Sequence, residues 1–330
     1  MTTSCNWQQR VGNQRDWVWR GWQTRYTYIP ASLSSSRTPT PNPEPTPREG
    51  SSNLITSQSG CPSAAPLILL HGFGASIGHW RQNLTELARD RPVYALDFLG
   101  FGASQKAPAN YSAELWIEQL YDFWRTFIRQ PVILVGNSIG SLICLAAAAA
   151  HPEMVAGIVM ISLPDPAVRV EAVPRWLQPA VAAAENLFAS PPILRTLFYF
   201  VRRPAMVRRW VSFAYANPEA VTDELVEILA APASDRGAAR AFCGLFKAIG
   251  SPHFGPGVKT LLPTLTLPML LIWGAQDRMI PPRFARPHQF QDYNPQLKLL
   301  VLENAGHCPH DECPEQVNQA ILDWMADFSP

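Results

Sequence analysis

Short runs of apolar residues recur along most of this chain, and helix-like segments separate several of them. The runs have the length of buried strands and lie at 67–70, 93–96, 132–135, 155–163, 269–273 and 297–302. The helix-like segments, with helical spacing or small apolar residues, lie at 111–129, 142–150 and 317–328. Because buried strands that alternate with helices form parallel sheets, the pattern predicts an α/β fold with a mainly parallel central sheet flanked by helices.

Three regions interrupt this alternation. Large aromatic residues alternate with polar ones on both sides of Gly21, which predicts a hairpin, so that residues 1–29 supply the first edge of the sheet. Residues 30–66 are rich in proline and serine and predict a flexible linker. Residues 164–268 are rich in aromatic residues and predict a helical cap, or lid, over the sheet. The core of the fold is then expected to comprise two segments, 67–163 and 269–330.

Composition argues against several function classes. The 27 Lys and Arg nearly balance the 26 Asp and Glu, so the net charge of +1 gives no basis for binding a nucleic acid. The six cysteines form no C-x-x-C pair and no secretory apolar segment begins the sequence, so we expect reduced thiols. The spacing in 307–313 matches no common zinc site, and we expect no metal. No apolar run reaches about 18 residues, so a transmembrane helix is not expected, while peripheral membrane contact stays open.

Two arginine-rich regions bear on where in the cell the protein is found. The first 66 residues are rich in Arg and Ser and poor in acids, as organelle transit peptides are, whereas their tryptophan-rich hairpin indicates a folded piece. Within the predicted cap, four arginines form a local basic cluster: Arg202, Arg203, Arg208 and Arg209. A solvated helix face explains the cluster, and contact with an anionic membrane surface or a substrate carboxylate is the alternative.

Candidate chemistry begins in the segment 136–140, Gly-Asn-Ser-Ile-Gly, which joins a predicted strand to a predicted helix. In a G-x-S-x-G turn the serine stands at the apex, where its hydroxyl is lifted clear of the sheet. A Cβ at Gly136 or Gly140 would collide with the neighbouring strand or helix, so glycine is required at both positions. Ser138 is therefore the predicted nucleophile.

Backbone N–H groups beside this serine are the predicted oxyanion donors. Ile139 follows the nucleophile directly, so its amide points toward a developing oxyanion. The glycine-rich exit of the strand at 67–70 carries Phe73, whose backbone N–H is the second donor expected. The same exit contains Gly72 and Gly74 without the third glycine of a dinucleotide fingerprint, and we expect no cofactor.

An acid and a base follow later strands in the order that a serine, acid and histidine triad requires. Asp277 lies just beyond the strand at 269–273, and His307 lies beyond the strand at 297–302. His307 would take the Ser138 proton, and Asp277 would hold the imidazole in the right tautomer. Asp97 is the alternative acid, although we expect it to bond backbone amides of its own loop. His310 is the alternative base, although the acids after it suit the start of a helix.

These residues resemble the α/β-hydrolase superfamily, from Trp17 to the C-terminus with the proline-rich segment excepted. Within that superfamily, four runs resemble the pheophytinase and chlorophyll-dephytylase group of plants and cyanobacteria: His71–Gly74, Asp97–Gly100, Gly136–Ser138 and Gly306–Glu315. The resemblance implies hydrolysis of the phytyl ester of a chlorophyll-type pigment, with Ser138, Asp277 and His307 carrying the chemistry. Ser141 departs from the pattern because the group usually has a second glycine there.

The resulting expectation is a serine hydrolase that cleaves a hydrophobic carboxylic ester through an acyl-enzyme. The alternatives are a cofactor-free haloperoxidase-like or C–C bond hydrolase, which shares the triad, and a non-catalytic binding protein with the same fold. Dehalogenase and epoxide hydrolase chemistry are disfavoured because they need an aspartate in place of Ser138. The expected location is the cytoplasm or the periphery of the thylakoid membrane, or a plastid if the N-terminus is a targeting segment.

Overall fold

A mainly parallel sheet forms the centre of the computed structural model, which describes residues 6–32, 64–167, 190–251 and 254–327. Its strands are β1 Gln14–Trp19, β2 Trp22–Ile29, β3 Leu67–Leu70, β4 Val93–Leu96, β5 Val132–Asn137, β6 Val155–Ile161, β7 Met269–Gly274 and β8 Leu297–Leu302. They are arranged in the order β1-β2-β4-β3-β5-β6-β7-β8. Strands β3 to β8 are parallel, whereas β1 and β2 are antiparallel to their neighbours. The predicted α/β class is confirmed.

The described helices lie before, between and after these strands. Those before the cap are α1 Trp7–Arg10, α2 Leu84–Leu87, α3 Ala113–Phe127 and α4 Ile139–Ala150. Those between β6 and β7 are α5 Pro191–Val201, α6 Pro204–Ala214, α7 Asp223–Ala230, α8 Ala238–Gly250 and α9 Val258–Leu261. Those after β7 are α10 Pro282–Ala285, α11 Phe290–Tyr293, α12 Pro309–Glu312 and α13 Pro314–Ala326. Single turns of 3₁₀-helix lie at Ile77–Trp80, Pro152–Met154, Pro218–Ala220, Ala231–Ser234, Leu262–Thr264 and Pro287–Gln289.

Two helices begin earlier than the apolar pattern indicated. Helix α4 starts at Ile139 rather than at residue 142, because the chain turns into the helix directly after Ser138. Helix α13 starts at Pro314 rather than at residue 317, and proline suits the first turn because its missing N–H has no partner there in any case. Apolar periodicity marks the buried face of a helix and is a poor guide to its first turn.

The sheet is covered on both faces. Along β5, Val132 and Leu134 belong to one apolar core, and Ile133 and Val135 belong to the other. Successive strand residues point to opposite faces, so a continuous apolar run is what a doubly covered strand needs. Burying each such side chain contributes about 1.5–3 kcal/mol to the stability of the folded state. These two cores fix the strand ends at which the candidate site residues lie.

The N-terminal hairpin extends the sheet beside β4. Arg20 and Gly21 both have positive φ, 52° and 82°, the backbone of a tight two-residue hairpin turn. Trp17 and Tyr26 pack edge-on against Phe123 of α3, with ring centroids 5.7 and 5.1 Å apart. The hairpin therefore adds both strand pairing and aromatic packing to the fold.

Parts of two predicted regions lie outside the described residues. Most of the expected linker, 33–63, falls there. So does 168–189 of the expected cap, which includes three of its apolar residues, Trp176, Leu187 and Phe188. The described remainder of the cap consists of helices α5 to α9 and the turns that join them.

Candidate active site

Ser138 lies at the sharp turn between β5 and α4 with φ of 54°, a value that non-glycine residues rarely adopt. The two flanking glycines permit the turn. A Cβ on Gly136 would lie 2.3 Å from the carbonyl carbon of Gly140, and a Cβ on Gly140 would lie 2.2 Å from the carbonyl oxygen of Leu70. The collision expected from the sequence is thus present at both glycines.

Ser141 occupies the position where the resembled group usually has glycine, and its hydroxyl is fully bonded. Its Oγ lies 2.7 Å from the carbonyl oxygen of Gly136 and 2.9 Å from that of Ile161, and it accepts the Ile161 N–H at 2.9 Å. The side chain is completely buried. Ser141 therefore connects the first turn of α4 with β5 and β6, and Ser138 keeps the sharp turn with positive φ, the elbow.

Asp277 and His307 meet at the carboxyl edge of the sheet. They follow the neighbouring strands β7 and β8, and His307 Nδ1 lies 2.8 Å from Asp277 Oδ2. The other oxygen, Oδ1, accepts the backbone N–H groups of Met279 and Ile280 at 2.8 Å each. Asp277 is 2% exposed and His307 is 8% exposed, so the pair is shielded from water. A carboxylate in this position selects the tautomer that carries the proton on Nδ1, which leaves Nε2 as the acceptor.

The loop after β3 approaches Ser138 closely. A Cβ on Gly72 would lie 2.9 Å from Asn137 Oδ1 and 3.3 Å from Ser138 Cβ, so glycine is needed for this approach. His71 fixes the loop from behind, since its Nδ1 lies 2.8 Å from the Gly72 carbonyl oxygen and its Nε2 lies 3.1 Å from the Phe98 amide. Burial lowers the pKa of His71 to about 4, so the ring is neutral and can donate from one nitrogen while it accepts at the other. The loop places Phe73 on the wall of the same cavity as Ser138.

The two alternative residues have other surroundings. Asp97 accepts the amide of Ala103 at 2.7 Å, which confirms the expected bonding within its own loop. It also accepts the amide of Ile77, from the segment after β3, at 2.7 Å, and burial raises its pKa to about 6. His310 lies in α12, with its ring packed 4.3 Å from the Trp80 ring and 4.5 Å from the His79 ring. Neither ring nitrogen of His310 has a hydrogen-bond partner among the described residues, and burial holds its pKa well below the usual range.

Ser138 and His307 line one cavity of about 560 Å³ between the sheet edge and the cap. Its wall is largely apolar, and the cap contributes most of the large side chains: Leu197, Phe198, Val201, Val207, Trp210, Val211, Tyr215, Leu229, Phe242, Leu245 and Phe246. The core contributes Phe73, Phe101 and Met279. An apolar cavity with a few converging polar groups is the usual form of a site for a small hydrophobic ligand.

Glu312 connects the cap with the His307 loop, a function that the sequence reasoning did not assign to it. One carboxylate oxygen accepts the amides of Gly306 and Cys308 at 3.0 and 3.2 Å. The other accepts the amides of Ala216 and Asn217, just after α6, at 2.6 and 3.3 Å. Glu312 follows His307 by five residues, directly after Asp311. This acidic pair so close to the predicted base was the sequence signal that could have indicated a role near His307.

A buried polar network continues from this contact. Tyr215 of the cap donates from its hydroxyl to Asp311 at 2.8 Å, and the same hydroxyl lies 2.8 Å from His79 Nε2. Arg81 forms an ion pair with Asp311 at 2.7 Å and bonds Glu224 at the start of α7 at 2.8 Å. Burial raises the pKa of Asp311, and the neighbouring Arg81 opposes that shift. The cap is therefore attached to the core by bonded charges as well as by apolar contact.

Comparison with known proteins identifies the family of this chain. The model of the alpha/beta hydrolase family matches residues 67–320. The chain belongs to the alpha/beta hydrolase family. Chloroplastic pheophytinase of Arabidopsis thaliana is 27% identical, over 81% of this chain and 63% of that protein. An acetyltransferase component of the acetoin cleaving system of Pseudomonas putida is 30% identical, over 81% of this chain and 65% of that protein. This chain spans less than two thirds of the length of either relative.

The solved structures give the same fold. A serine hydrolase involved in carbazole degradation superposes with a TM-score of 0.70 at 21% identity, over 95% of this chain and 98% of that one. The family match confirms the expected resemblance at the level of the superfamily. Within the described residues, no His, Cys, Asp or Glu group is arranged to hold a metal ion, and no helix is long and apolar enough to cross a bilayer.

Proposed function

We propose that this protein is a serine hydrolase that cleaves a hydrophobic carboxylic ester through an acyl-enzyme. Ser138 is the nucleophile, His307 the general base and Asp277 the carboxylate that orients it. The observation that carries the proposal is the apolar cavity whose wall contains both the strained Ser138 turn and a histidine bonded to a buried aspartate at 2.8 Å. Strain at a non-glycine residue beside such a pair is typical of a nucleophile held for attack.

In the proposed reaction, His307 Nε2 takes the Ser138 proton while Oγ attacks the ester carbonyl carbon. The carbonyl oxygen becomes an oxyanion, and the backbone N–H groups of Phe73 and Ile139 donate to it. The imidazolium then gives its proton to the leaving alcohol as the carbon–oxygen bond breaks, which leaves Ser138 acylated. Water, deprotonated by His307, attacks the acyl carbon; the bond to Ser138 Oγ breaks, the imidazolium returns the proton to Oγ, and the acid leaves. Asp277 stabilises the imidazolium in both halves of the cycle.

The proposed substrate is the phytyl ester of a chlorophyll-type pigment. The apolar, aromatic wall of the cavity suits a long hydrocarbon alcohol, and the relative from Arabidopsis thaliana is a pheophytinase. The sequence resemblance is densest in the segment Gly306–Glu315, which includes both His307 and the Glu312 contact to the cap. A location at the periphery of the thylakoid membrane belongs to the same proposal, because the pigment resides there.

Incubation of the purified protein with pheophytin a, chlorophyll a and p-nitrophenyl esters of rising chain length tests both levels of the proposal. The wild type is expected to release phytol, and Ser138→Ala is expected to lose about 10⁴-fold or more in kcat, since the nucleophile is gone. Near-ultraviolet circular dichroism of both proteins controls for folding. Cleavage of short esters without pigment turnover would overturn the phytyl substrate alone. Equal inactivity of both proteins would overturn the hydrolase and favour a binding protein.

A further inference from the structure

The cap presents an apolar face to solvent next to the opening of the cavity. Six large side chains of α5 and α6, each 37–53% exposed, form this cap face: Ile193, Leu197, Tyr199, Phe200, Trp210 and Phe213. Ile193, Leu197 and Phe200 follow one another along one side of α5 at helical spacing, as Trp210 and Phe213 do on α6. A monomeric protein rarely leaves so many large apolar side chains in contact with water, and such patches usually mark an interaction site.

The cap face is continuous with the candidate active site. Leu197 and Trp210 line the cavity that contains Ser138 and are also 37% and 52% exposed. Phe73 and Met279, from the core side of the same cavity, are 43% and 46% exposed. A molecule that covers the cap face therefore reaches the apolar cavity without passing through bulk water.

Several arginines beside this face have no carboxylate partner among the described residues. A groove of about 820 Å³ adjoins the cavity and shares Phe198 and Arg202 with it. Five cations and one carboxylate line the groove: Lys106, Arg195, Arg202, Arg236, Arg240 and Asp235. The carboxylate is already bonded to Lys106 at 2.9 Å, and no described residue offers the four arginines another. Arg203 and Arg209, next to the apolar side chains, are exposed and likewise lack a carboxylate partner within the described chain.

We propose that the cap face docks on the surface of an anionic lipid bilayer, with its aromatic side chains at the acyl boundary and its arginines on the lipid phosphates. This mixture of aromatic residues and arginine is typical of surfaces that lie in a membrane interface. A second copy of this chain fits less well, because a two-fold contact through one face would bring the two arginine clusters together. The docking itself does not depend on the proposed function. Its purpose does, because docking would admit a membrane-borne ester to the cavity.

Co-sedimentation with vesicles tests the docking independently of catalysis, because the Ser138→Ala protein can be used throughout. It is expected to bind vesicles of phosphatidylcholine with phosphatidylglycerol more strongly than pure phosphatidylcholine, and to release them as salt rises. The double variant Phe200→Ser and Arg203→Glu removes one aromatic residue and reverses one charge on the cap face, where the guanidinium carbon lies 5.7 Å from the ring centroid. We expect its partition coefficient to fall by about tenfold or more.

The chain offers a matched control at α10. Arg283 lies 4.6 Å from the centroid of the Phe284 ring, which is 64% exposed and belongs to α10 rather than to the cap helices. The variant Phe284→Ser and Arg283→Glu makes the same chemical change and is expected to alter vesicle binding by less than about twofold. Equal losses in both variants, absence of binding by the Ser138→Ala protein, or self-association that the cap-face variant abolishes would each overturn the proposal. Loss of pigment hydrolysis with vesicle binding intact would count against the enzyme function alone.

Discussion

At the scale of single residues, Glu312 determines how the cap meets the proposed base. Its carboxylate accepts four backbone N–H groups, two from the His307 loop and two from the segment after α6. The His307 amide also donates to the Ala214 carbonyl at 2.8 Å, so the two segments are bonded directly as well. Only a carboxylate has an acceptor oxygen for each pair of donors, which explains an acid at a position that is 8% exposed.

Glu312→Gln is expected to lower the free energy of unfolding by about 2–3 kcal/mol, because the amide NH₂ would face two N–H donors. The same change should lower kcat for a soluble ester more than it alters KM, since it displaces the His307 loop and leaves the apolar wall unchanged. Chemical denaturation and steady-state kinetics measure the two effects. Glu303→Gln, an exposed position on the same loop, is the control and should change stability by less than about 0.5 kcal/mol. A loss of stability with unchanged kcat would show that Glu312 does not position His307.

At the scale of elements, the two strands that flank β5 hold the elbow in place. Gly140 contacts the Leu70 carbonyl at the end of β3, and the Ser141 hydroxyl bonds both carbonyl and amide of Ile161 at the end of β6. The strained Ser138 backbone is thus fixed by the strands on either side of β5. Ser141 adds hydrogen bonds to this arrangement that glycine at the same position could not make, because glycine has no side-chain hydroxyl.

Ser141→Ala is therefore expected to lower the free energy of unfolding by about 1–3 kcal/mol, since the buried Ile161 N–H loses its acceptor. Ser141→Gly, which restores the pattern of the resembled group, should cost up to about 1 kcal/mol more because glycine disfavours helix. Urea denaturation of both variants measures these losses. Ser212→Ala, at an exposed position inside α6, provides the control and should be nearly neutral. A Ser141→Gly protein more stable than the wild type would show that the serine strains the elbow.

At the scale of the whole molecule, the sequence predicts the sheet well and the cap contacts poorly. The parallel strands are buried on both faces, as at Leu67–Leu70, so each appears as a continuous apolar run. Asp277 and His307 were expected together because neighbouring parallel strands end at one edge. Glu312 and the amide of Ala216 are 96 residues apart, and no local pattern indicates which distant donors a buried carboxylate will meet. The exposed aromatic side chains of α5 and α6 were expected in the cap, but their exposure depends on how its helices pack.

Buried neutral histidines should make the stability of the whole molecule depend on pH. His71 and His79 have pKa values lowered by burial to about 4 and about 3, and His310 is shifted in the same direction. In the unfolded chain a histidine titrates near 6.5, so below that pH the unfolded state binds more protons and stability falls as pH falls. Burial raises the pKa of Asp97 to about 6, which acts in the opposite sense between about 3.8 and 6. The net curve of the wild type is consequently a poor test of any single group.

Replacing His310 isolates the contribution of one histidine to the pH dependence of stability. His310 faces His79, Arg81 and His307, and these groups oppose its protonation. Its ring nitrogens have no hydrogen-bond partner among the described residues. His310→Leu therefore removes a proton site without leaving an unpaired donor or acceptor. As pH falls below 6.5, the stability of the variant relative to the wild type should rise, and its slope should approach about 1.4 kcal/mol per pH unit. Urea denaturation across this range measures the difference, and His288→Leu, at an exposed position, is the control. Parallel curves for His310→Leu and the wild type would mean that His310 is protonated equally in the folded and unfolded chains.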